Sequence, residues 1–333
     1  MPKPHTWAKF FAGPAAATLL LSFLAAAEIL RPDVLASSRT GQWPPLQRQA
    51  TCFALFTVIA LISALISARQ KPPGQLRKAP RAVSALVGLG MFSLPSVLFL
   101  LTAPWIDGFA RLALLTLTPL FAIVFEPYLG GDFTPNRPGQ SGSGLQSSSR
   151  VAASLAAVAG AALVLPISIP STFSGGVAFI GVVVASASGA AANCLAVRLA
   201  NTHEQPSGEK VSSFTPFPVY TGVAATLSFA LLSAFIERRA WNQQSWLPEL
   251  AWSVCIDVPE LLLLFWLMHR TTALRMTTRF IFSPLIAILA EAVFLRPVIE
   301  RRMALGLLLM AIGASWLLFA SEGTDEPQSL SLR

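Results

Sequence analysis

Two carboxylates lie three positions apart in the apolar stretch 248–269, at Asp257 and Glu260. Positions i and i+3 of a helix share one face, so both side chains project to the same side. Two carboxylates this close do not ionise together easily, and we expect one of them to hold a proton near neutral pH. Arg279, in the next apolar stretch, is a cation available to neutralise them. The pattern therefore indicates either a proton-binding site or a structural charge cluster.

The composition puts these charges in a membrane. Of the 333 residues, 54% are hydrophobic and only 12% are charged, whereas soluble domains carry about 25% charged residues. The mean hydropathy is +0.62. A charge at mid-bilayer costs about 2.5–3.5 kcal/mol on insertion scales, so it tends to face a cavity or a partner. No basic run is interleaved with aromatic residues, and the net charge of +8 therefore indicates membrane orientation and no nucleic-acid partner.

Metal, nucleotide and catalytic sites are not indicated. Cys52, Cys194 and Cys255 all lie in apolar stretches and form no CxxC or Cys/His cluster, and the three histidines are isolated. No GxxxxGK[ST] motif for nucleotide binding occurs. We therefore expect no cofactor, no metal centre and no enzymatic activity.

Ten stretches are apolar over about 20 residues, the length of helix that crosses the hydrocarbon core. They are 10–30, 49–68, 82–103, 106–126, 151–167, 175–198, 214–236, 248–269, 272–295 and 303–320. We predict an all-α integral membrane protein with ten transmembrane helices in two halves, 10–167 and 175–320. A Gly/Ser/Pro-rich linker, 130–150, interrupts the first half, and the tails are 1–9 and 321–333.

Lysine and arginine counts favour cytoplasmic termini in a plasma or inner membrane. With the N-terminus inside, inner loops and tails hold thirteen of these residues and outer loops eight, among them Arg31 and Arg48. Positive residues concentrate on the cytoplasmic side, so both termini and the linker 130–150 are expected there. One alternative stays open, because residues 1–27 resemble a signal peptide, with Lys3 before an apolar run and a small-residue cleavage site.

The two halves repeat each other. PLFAIVFE begins at Pro119 and PLIAILAE begins at Pro284, 165 positions later, with five identical residues. SLPS around Pro95 matches DVPE around Pro259 at an offset of 164. Five segments in each half is an odd number, so the halves must enter the membrane from opposite sides, as in inverted-repeat transporters. We expect each proline to superpose on its counterpart.

The end of each repeat resembles the EamA type of the drug/metabolite transporter superfamily, which has two inverted five-helix repeats. The residues that carry the resemblance are Pro119, Gly131-Asp132 and Ala159-Gly160 in the first repeat, and Pro284 and Ile312-Gly313 in the second. The chain departs from the family pattern at Pro297, where a second acid is expected, with Glu300 nearby. The resemblance therefore implies a fold and a transport function, and no particular substrate.

The sequence offers three groups of candidate residues, and the first group includes the carboxylate pair. Expected in a central cavity are Asp257, Glu260, Arg279, Asn193, Glu28 and Ser93; expected as hinges or helix kinks are Pro95, Pro119, Pro259 and Pro284; secondary charged candidates are Glu126, Glu291, Arg111 and Arg275. A proline removes a backbone donor and kinks a helix, with or without a ligand nearby. Each charged residue can equally be explained as a structural ion pair or an interfacial anchor.

The leading hypothesis is a secondary transporter in the lipid bilayer that moves a small organic solute by alternating access, with proton-coupled export as one form. A non-transporting sensor or partner built on a transporter fold is the second hypothesis. A membrane-embedded enzyme is the third, but the reactive constellation that it needs is not visible in the sequence. Solute flux in proteoliposomes separates the first from the second.

If the carboxylate pair binds the coupling proton, Asp257→Asn should abolish the pH dependence of solute flux and leave folding intact. The amide keeps the shape and hydrogen bonding of the acid but cannot ionise. Flux in proteoliposomes across a pH series measures this. Normal flux with an unchanged pH response, together with misfolding of Asp257→Leu, would show that the pair is structural.

Overall fold

The computed structural model describes residues 13–36, 44–70, 81–129, 143–165, 171–201, 217–237, 246–295 and 300–319. Over these residues the regular structure is helical, in ten rods that coincide with the ten apolar stretches. The rods are α1 (Pro14–Ala36), α2 (Pro45–Gln70), α3 (Arg81–Gly88, Leu89–Ser93 and Leu94–Thr102), α4 (Gly108–Leu115 and Thr118–Leu129), α5 (Ser143–Val164), α6 (Phe173–Asn201), α7 (Phe217–Leu232 and Ser233–Glu237), α8 (Trp246–Trp252, Ser253–Asp257 and Val258–Met268), α9 (Ala273–Thr277 and Arg279–Leu295) and α10 (Arg301–Phe319). Both tails, most of the linker 130–150, Asp132 and Pro297 lie outside the described residues.

The outer surface of the bundle is apolar. Among the described helices, nine are long and apolar enough to cross a membrane, and the apolar part of α5 is shorter, Ser148–Val164. Large hydrophobic side chains point outward from many helices, for example Leu20, Leu61, Ile180, Leu227 and Leu308. Helices satisfy their own backbone groups and can therefore present such side chains to lipid. The chain is an all-α, multi-pass membrane protein, and a crossing by α5 stays a prediction.

Helix packing is consistent with the sequence repeat. α5 packs along α10, and α2 packs along α7. α1 packs against α9 as α6 packs against α4, and α3 contacts α6 as α8 contacts α1. If five is added to each helix number of the first half and subtracted from each of the second half, every contact in this set becomes another contact of the same set. The inverted sense of the repeat stays a prediction.

Two helices contain a π-helical turn at the same position in each repeat. In α3 the turn is Leu89–Ser93, and in α8 it is Ser253–Asp257, 164 positions later. Each turn closes with a hydrogen bond five residues back, from Leu94 N–H to the Leu89 carbonyl and from the Val258 N–H to the Ser253 carbonyl. Pro95 and Pro259 follow directly, at the second position of the next helical segment, where a missing N–H costs little.

α4 and α9 also share their irregularities. Asp107 caps α4 by accepting a hydrogen bond from Phe109 N–H at 3.1 Å, and Thr272 caps α9 165 positions later by accepting one from Arg275 N–H at 3.4 Å. α4 breaks at residues 116–117, just before the buried Pro119, and α9 breaks at residue 278 with Pro284 inside its second segment. Pro95, Pro119 and Pro259 each lie two residues after a helix irregularity, whereas Pro284 lies six residues after the break at residue 278, inside a continuous segment. The role of the four prolines as hinges stays a prediction.

α5 and α10 meet through glycines. A Cβ atom added at Gly160 would lie 2.5 Å from the Gly306 carbonyl oxygen and 2.8 Å from the Met310 nitrogen. A Cβ atom at Gly306 would lie 2.7 Å from the Gly160 carbonyl oxygen. Small residues let membrane helices approach closely, and van der Waals packing then holds them together.

We expect Gly160→Ala to destabilise the protein by about 1–3 kcal/mol, because its methyl group overpacks a backbone contact that cannot move aside. Gly176→Ala is the matched control, because a Cβ atom there meets nothing within 4 Å. The melting temperature of the purified protein in detergent measures both. Equal melting temperatures for the two variants would contradict the close packing of α5 against α10.

Candidate functional site

A cavity of about 710 Å³ lies among seven helices, α1, α2, α3, α4, α6, α8 and α9. Its lining reaches Pro45, the first residue of α2, and Ala103, just past the end of α3. It therefore extends to the end of the bundle where α1 and α3 end and α2 and α4 begin. Ligand sites for small molecules have volumes of about 300–1,000 Å³, so the cavity has the size for a small organic molecule.

Aromatic residues close the deep end of this cavity. Phe53 and Phe92 line it, with ring centroids 4.7 Å apart. Beyond them Phe56 stacks on Phe265 at 4.9 Å, and Phe217 meets Phe265 at 5.7 Å. Phe56 and Phe217 are each only 1% exposed, so this cluster separates the cavity from the end of the bundle where α8 ends.

Both predicted carboxylates line the cavity. Asp257 is the last residue of the π-helical turn in α8 and is buried, and the Ser253 hydroxyl donates a 3.1 Å hydrogen bond to its Oδ2. Glu260 lies one turn further along α8 and is half-buried. Within the described part of the chain, no hydrogen bond or ion pair to the Glu260 carboxylate is formed.

Arg279 lines the cavity from the start of the long segment of α9 and is 7% exposed. Its guanidinium lies 4.8 Å from the centre of the Phe280 ring. Over the described residues the Arg279 guanidinium has no hydrogen bond or ion pair, and the Arg279 carbonyl accepts a 2.7 Å hydrogen bond from the Ser283 hydroxyl. Arg279 and Glu260 line the cavity from two different helices, α9 and α8. A buried cation and a carboxylate thus face one cavity without touching.

A charge pair at the mouth of the cavity holds α1 to α2. The Arg48 guanidinium forms an ion pair with Glu28, and the Trp252 indole donates a 3.1 Å hydrogen bond to Glu28 Oε2. Both members of the pair line the cavity. Arg48 is buried, and its Nε and Nη1 atoms have no hydrogen-bond partner among the described residues.

A second ion pair, between Arg31 and Glu249, joins α1 to α8 at the same end. Arg31 and Arg48, which are predicted to lie in outer loops, lie in helices α1 and α2, and both are paired. Their partners are far away in sequence, and no short motif could have found them. The one signal available was an arginine within the first turn of an apolar helix.

Glu237 fastens the start of α2 to the end of α7. Its Oε1 accepts a hydrogen bond from Leu46 N–H at 2.7 Å and its Oε2 accepts one from Gln47 N–H at 3.2 Å. The Ser233 hydroxyl also donates to Oε2, at 2.7 Å. A carboxylate that accepts the first free N–H groups of a helix is a favourable cap, and this one holds the cavity wall at Arg48 in place.

The remaining candidates divide between the lining and other places. Pro95 and Arg111 line the cavity, with Arg111 Nη1 donating to the Phe99 carbonyl at 2.7 Å. Ser93 is buried and shares a hydrogen bond with Ser228. Asn193 is buried outside the lining, with its amide donating to the Gly189 carbonyl at 2.7 Å. The others outside the lining are Glu126, Glu291, Arg275, Pro119, Pro259 and Pro284.

In the described ranges no group of three or more His, Cys, Asp or Glu residues could hold a metal ion. The lining combines three carboxylates and three guanidinium groups with apolar walls.

Comparison with known proteins establishes the fold only. No family model and no curated protein matches this sequence. Fourteen chains of solved structures match the fold. One of them, described only as "Crystal structure of protein", superposes with a TM-score of 0.64 over 92% of this chain and 98% of its own, at 18% sequence identity. The chain is similar to that structure along nearly its whole length.

We expect Arg48→Gln to destabilise the protein, because it leaves the Glu28 carboxylate with Trp252 as its partner. Breaking a fully buried pair costs about 3–5 kcal/mol, and the effect here should lie at or below the lower end because the Glu28 side chain is 27% exposed. Unfolding of Arg48→Gln, Glu28→Gln and the double variant completes a double-mutant cycle.

The double variant should be more stable than the sum of the two single effects predicts, because neither charge is then left alone. Arg270→Gln, at an exposed position at the far end of α8, is the control and should unfold like wild type. Strict additivity in the cycle would mean that the ion pair contributes nothing.

Proposed function

We propose that this protein is a secondary transporter that moves a small organic solute across a plasma or inner membrane by alternating access. The observation that carries the proposal is the cavity that opens at one end of the bundle, is built by helices of both halves, and is closed at its deep end by aromatic side chains. Such a cavity suits a carrier in one of its two states. A channel would need a path through the whole bundle.

The matched irregularities support a mechanism in which both halves move. Transporters with inverted repeats exchange access by rocking one set of helices against the other around a fixed central site. The π-helical turns of α3 and α8 both lie beside the cavity, where Met91 and Asp257 belong to its lining. Non-α turns are common at points of functional bending. Rearrangement of these turns would open and close the two ends of the cavity.

The resemblance to EamA-type permeases of the drug/metabolite transporter superfamily supports the same reading. It implies ten transmembrane helices in two inverted five-helix repeats, and the count of Lys and Arg favours both termini in the cytoplasm. The departure at Pro297 leaves the substrate open. We propose that transport is coupled to a proton carried by Asp257 or Glu260, because both carboxylates line the cavity and the first repeat has Ser93 and Ser96 at the matching positions.

Access to the cavity from both sides of the membrane tests the proposal without knowledge of the substrate. Ser96 lines the cavity, and Ser96→Cys in a background without Cys52, Cys194 and Cys255 provides one labelling site. We expect a membrane-impermeant maleimide to label it in right-side-out and in inside-out vesicles, because a carrier exposes its site alternately.

Ser174→Cys is the control, because Ser174 is exposed at the start of α6 and should be labelled from one side only. Labelling of Ser96→Cys from one side only, under all solute and pH conditions tried, would overturn transport. That result would favour a sensor or partner built on a transporter fold.

A further inference from the structure

We propose that the cavity binds an organic monocarboxylate together with one proton, with the carboxylate on Arg279, the proton on Glu260, and the apolar body of the solute against the phenylalanines of the lining. This inference deepens the proposed transport function and rests on it for the movement of the solute. Its own content is the chemistry of recognition.

Of the three arginines that line the cavity, Arg279 is the one whose guanidinium forms neither a hydrogen bond nor an ion pair among the described residues. Arg48 is paired with Glu28, and Arg111 is held by the Phe99 carbonyl and lies 5.9 Å from the Phe99 ring. Arg279 is as deeply buried as Arg48, and its guanidinium lies over the Phe280 ring. Stacking on a ring leaves the edge of a guanidinium free, and that edge matches a carboxylate with two parallel hydrogen bonds.

The charges of the lining explain why a proton should accompany the anion. Three carboxylates, of Glu28, Asp257 and Glu260, face three guanidinium groups, of Arg48, Arg111 and Arg279. A bound monoanion adds one negative charge to this balanced set. A buried charge without a partner is costly, and protonation of one carboxylate restores the balance.

Glu260 is the carboxylate that should take this proton. The charged groups that face it are Arg279 on α9, Glu28 on α1, Asp257 on its own helix α8 and Arg48 on α2. Glu28 has its ion pair and Asp257 has the Ser253 hydroxyl, whereas Glu260 depends on Arg279 across the cavity. Once a solute carboxylate occupies Arg279, Glu260 loses its strongest favourable neighbour and keeps two acids nearby.

The rest of the lining suits an aromatic or branched apolar body. Phe53, Phe92, Phe99 and Phe280 come from three different helices, α2, α3 and α9, and all face the cavity. Aromatic walls with a few placed charges are typical of sites for small amphipathic molecules. A compact inorganic anion would leave these walls without contact.

Calorimetric titration of the purified full-length protein tests the inference, with benzoate, benzamide and benzylamine as probes of equal shape and different charge. At neutral pH we expect benzoate to bind about tenfold or more tightly than benzamide, because charge-assisted hydrogen bonds to Arg279 are lost in the amide. Titration in two buffers with different ionisation enthalpies should show uptake of up to one proton for each benzoate bound.

Substitutions test the separate roles of Glu260 in proton binding and of Arg279 in carboxylate binding. Glu260→Gln should bind benzoate without proton uptake and without pH dependence. Arg279→Gln should lose about tenfold or more in benzoate affinity and leave benzamide binding unchanged, whereas Arg270→Gln should bind like wild type. If Arg279→Gln does not fold, Arg279→Lys serves, because it keeps the charge and loses the two-pronged geometry, so benzoate affinity should fall while the preference over benzamide remains.

Three results would overturn the inference. They are equal affinity for benzoate and benzamide, tightest binding of benzylamine, and proton uptake that persists in Glu260→Gln. The experiments distinguish a failure of the transport proposal from a failure of the proposed substrate class. Benzoate binding with labelling of Ser96→Cys from one side only supports the site and contradicts transport. Labelling from both sides without preference for benzoate supports transport and contradicts the substrate class.

Discussion

A charged side chain inside this apolar bundle must recover from the protein the stabilisation that water would have given it, and this constraint organises the structure. At the mouth of the cavity it is met by pairing, Glu28 with Arg48 and Arg31 with Glu249. These pairs connect α1, α2 and α8, three helices that meet only through tertiary structure. The charges therefore act as specific fasteners, because a shift of any of the three helices would leave a buried charge alone.

Deeper in the cavity the same constraint is met only in part. Glu260 and Arg279 face each other without contact, and the Asp257 carboxylate has a hydroxyl as its hydrogen-bond donor. Such incomplete pairing is costly in a purely structural element, and it is common where a ligand or proton completes the site. The charges at the mouth are therefore ion-paired, whereas the guanidinium of Arg279 and the carboxylate of Glu260 below them are not, among the described residues.

Much of this could be predicted from the sequence. Apolar length located the nine helices that are long enough to cross a membrane, because the bilayer imposes a similar length on every crossing. The spacing of Asp257 and Glu260 predicted their common face. The repeat predicted matching irregularities, which appear at Leu89–Ser93 and Ser253–Asp257. Local patterns of this kind can be recognised in a single sequence because each depends on residues that are neighbours along the chain.

The partners of Arg31 and Arg48 could not be predicted, and the reason is physical. Arg31 and Glu249 are 218 positions apart, and their contact depends on how α1 and α8 cross. The symmetry of the repeat also predicted too much. Glu28 and Asn193 occupy matching positions and both were expected in the cavity, but of the two only Glu28 lines it. A repeat conserves backbone paths more faithfully than it conserves the polar contacts built on them.

The π-helical turn of α8 has a further geometric consequence. Each residue of an α-helix advances the side chains by about 100° around the axis, and a π turn accommodates one residue more than an α turn. The turn Ser253–Asp257 therefore sets the rotational phase between the outer part of α8, which carries Glu249 and Trp252, and the inner part, which carries Glu260. Tightening it to α geometry would turn one part against the other by roughly 100°, enough to swing Trp252 away from Glu28 while Glu260 keeps its direction. A single surplus residue thus fixes the rotation of one part of α8 relative to the other.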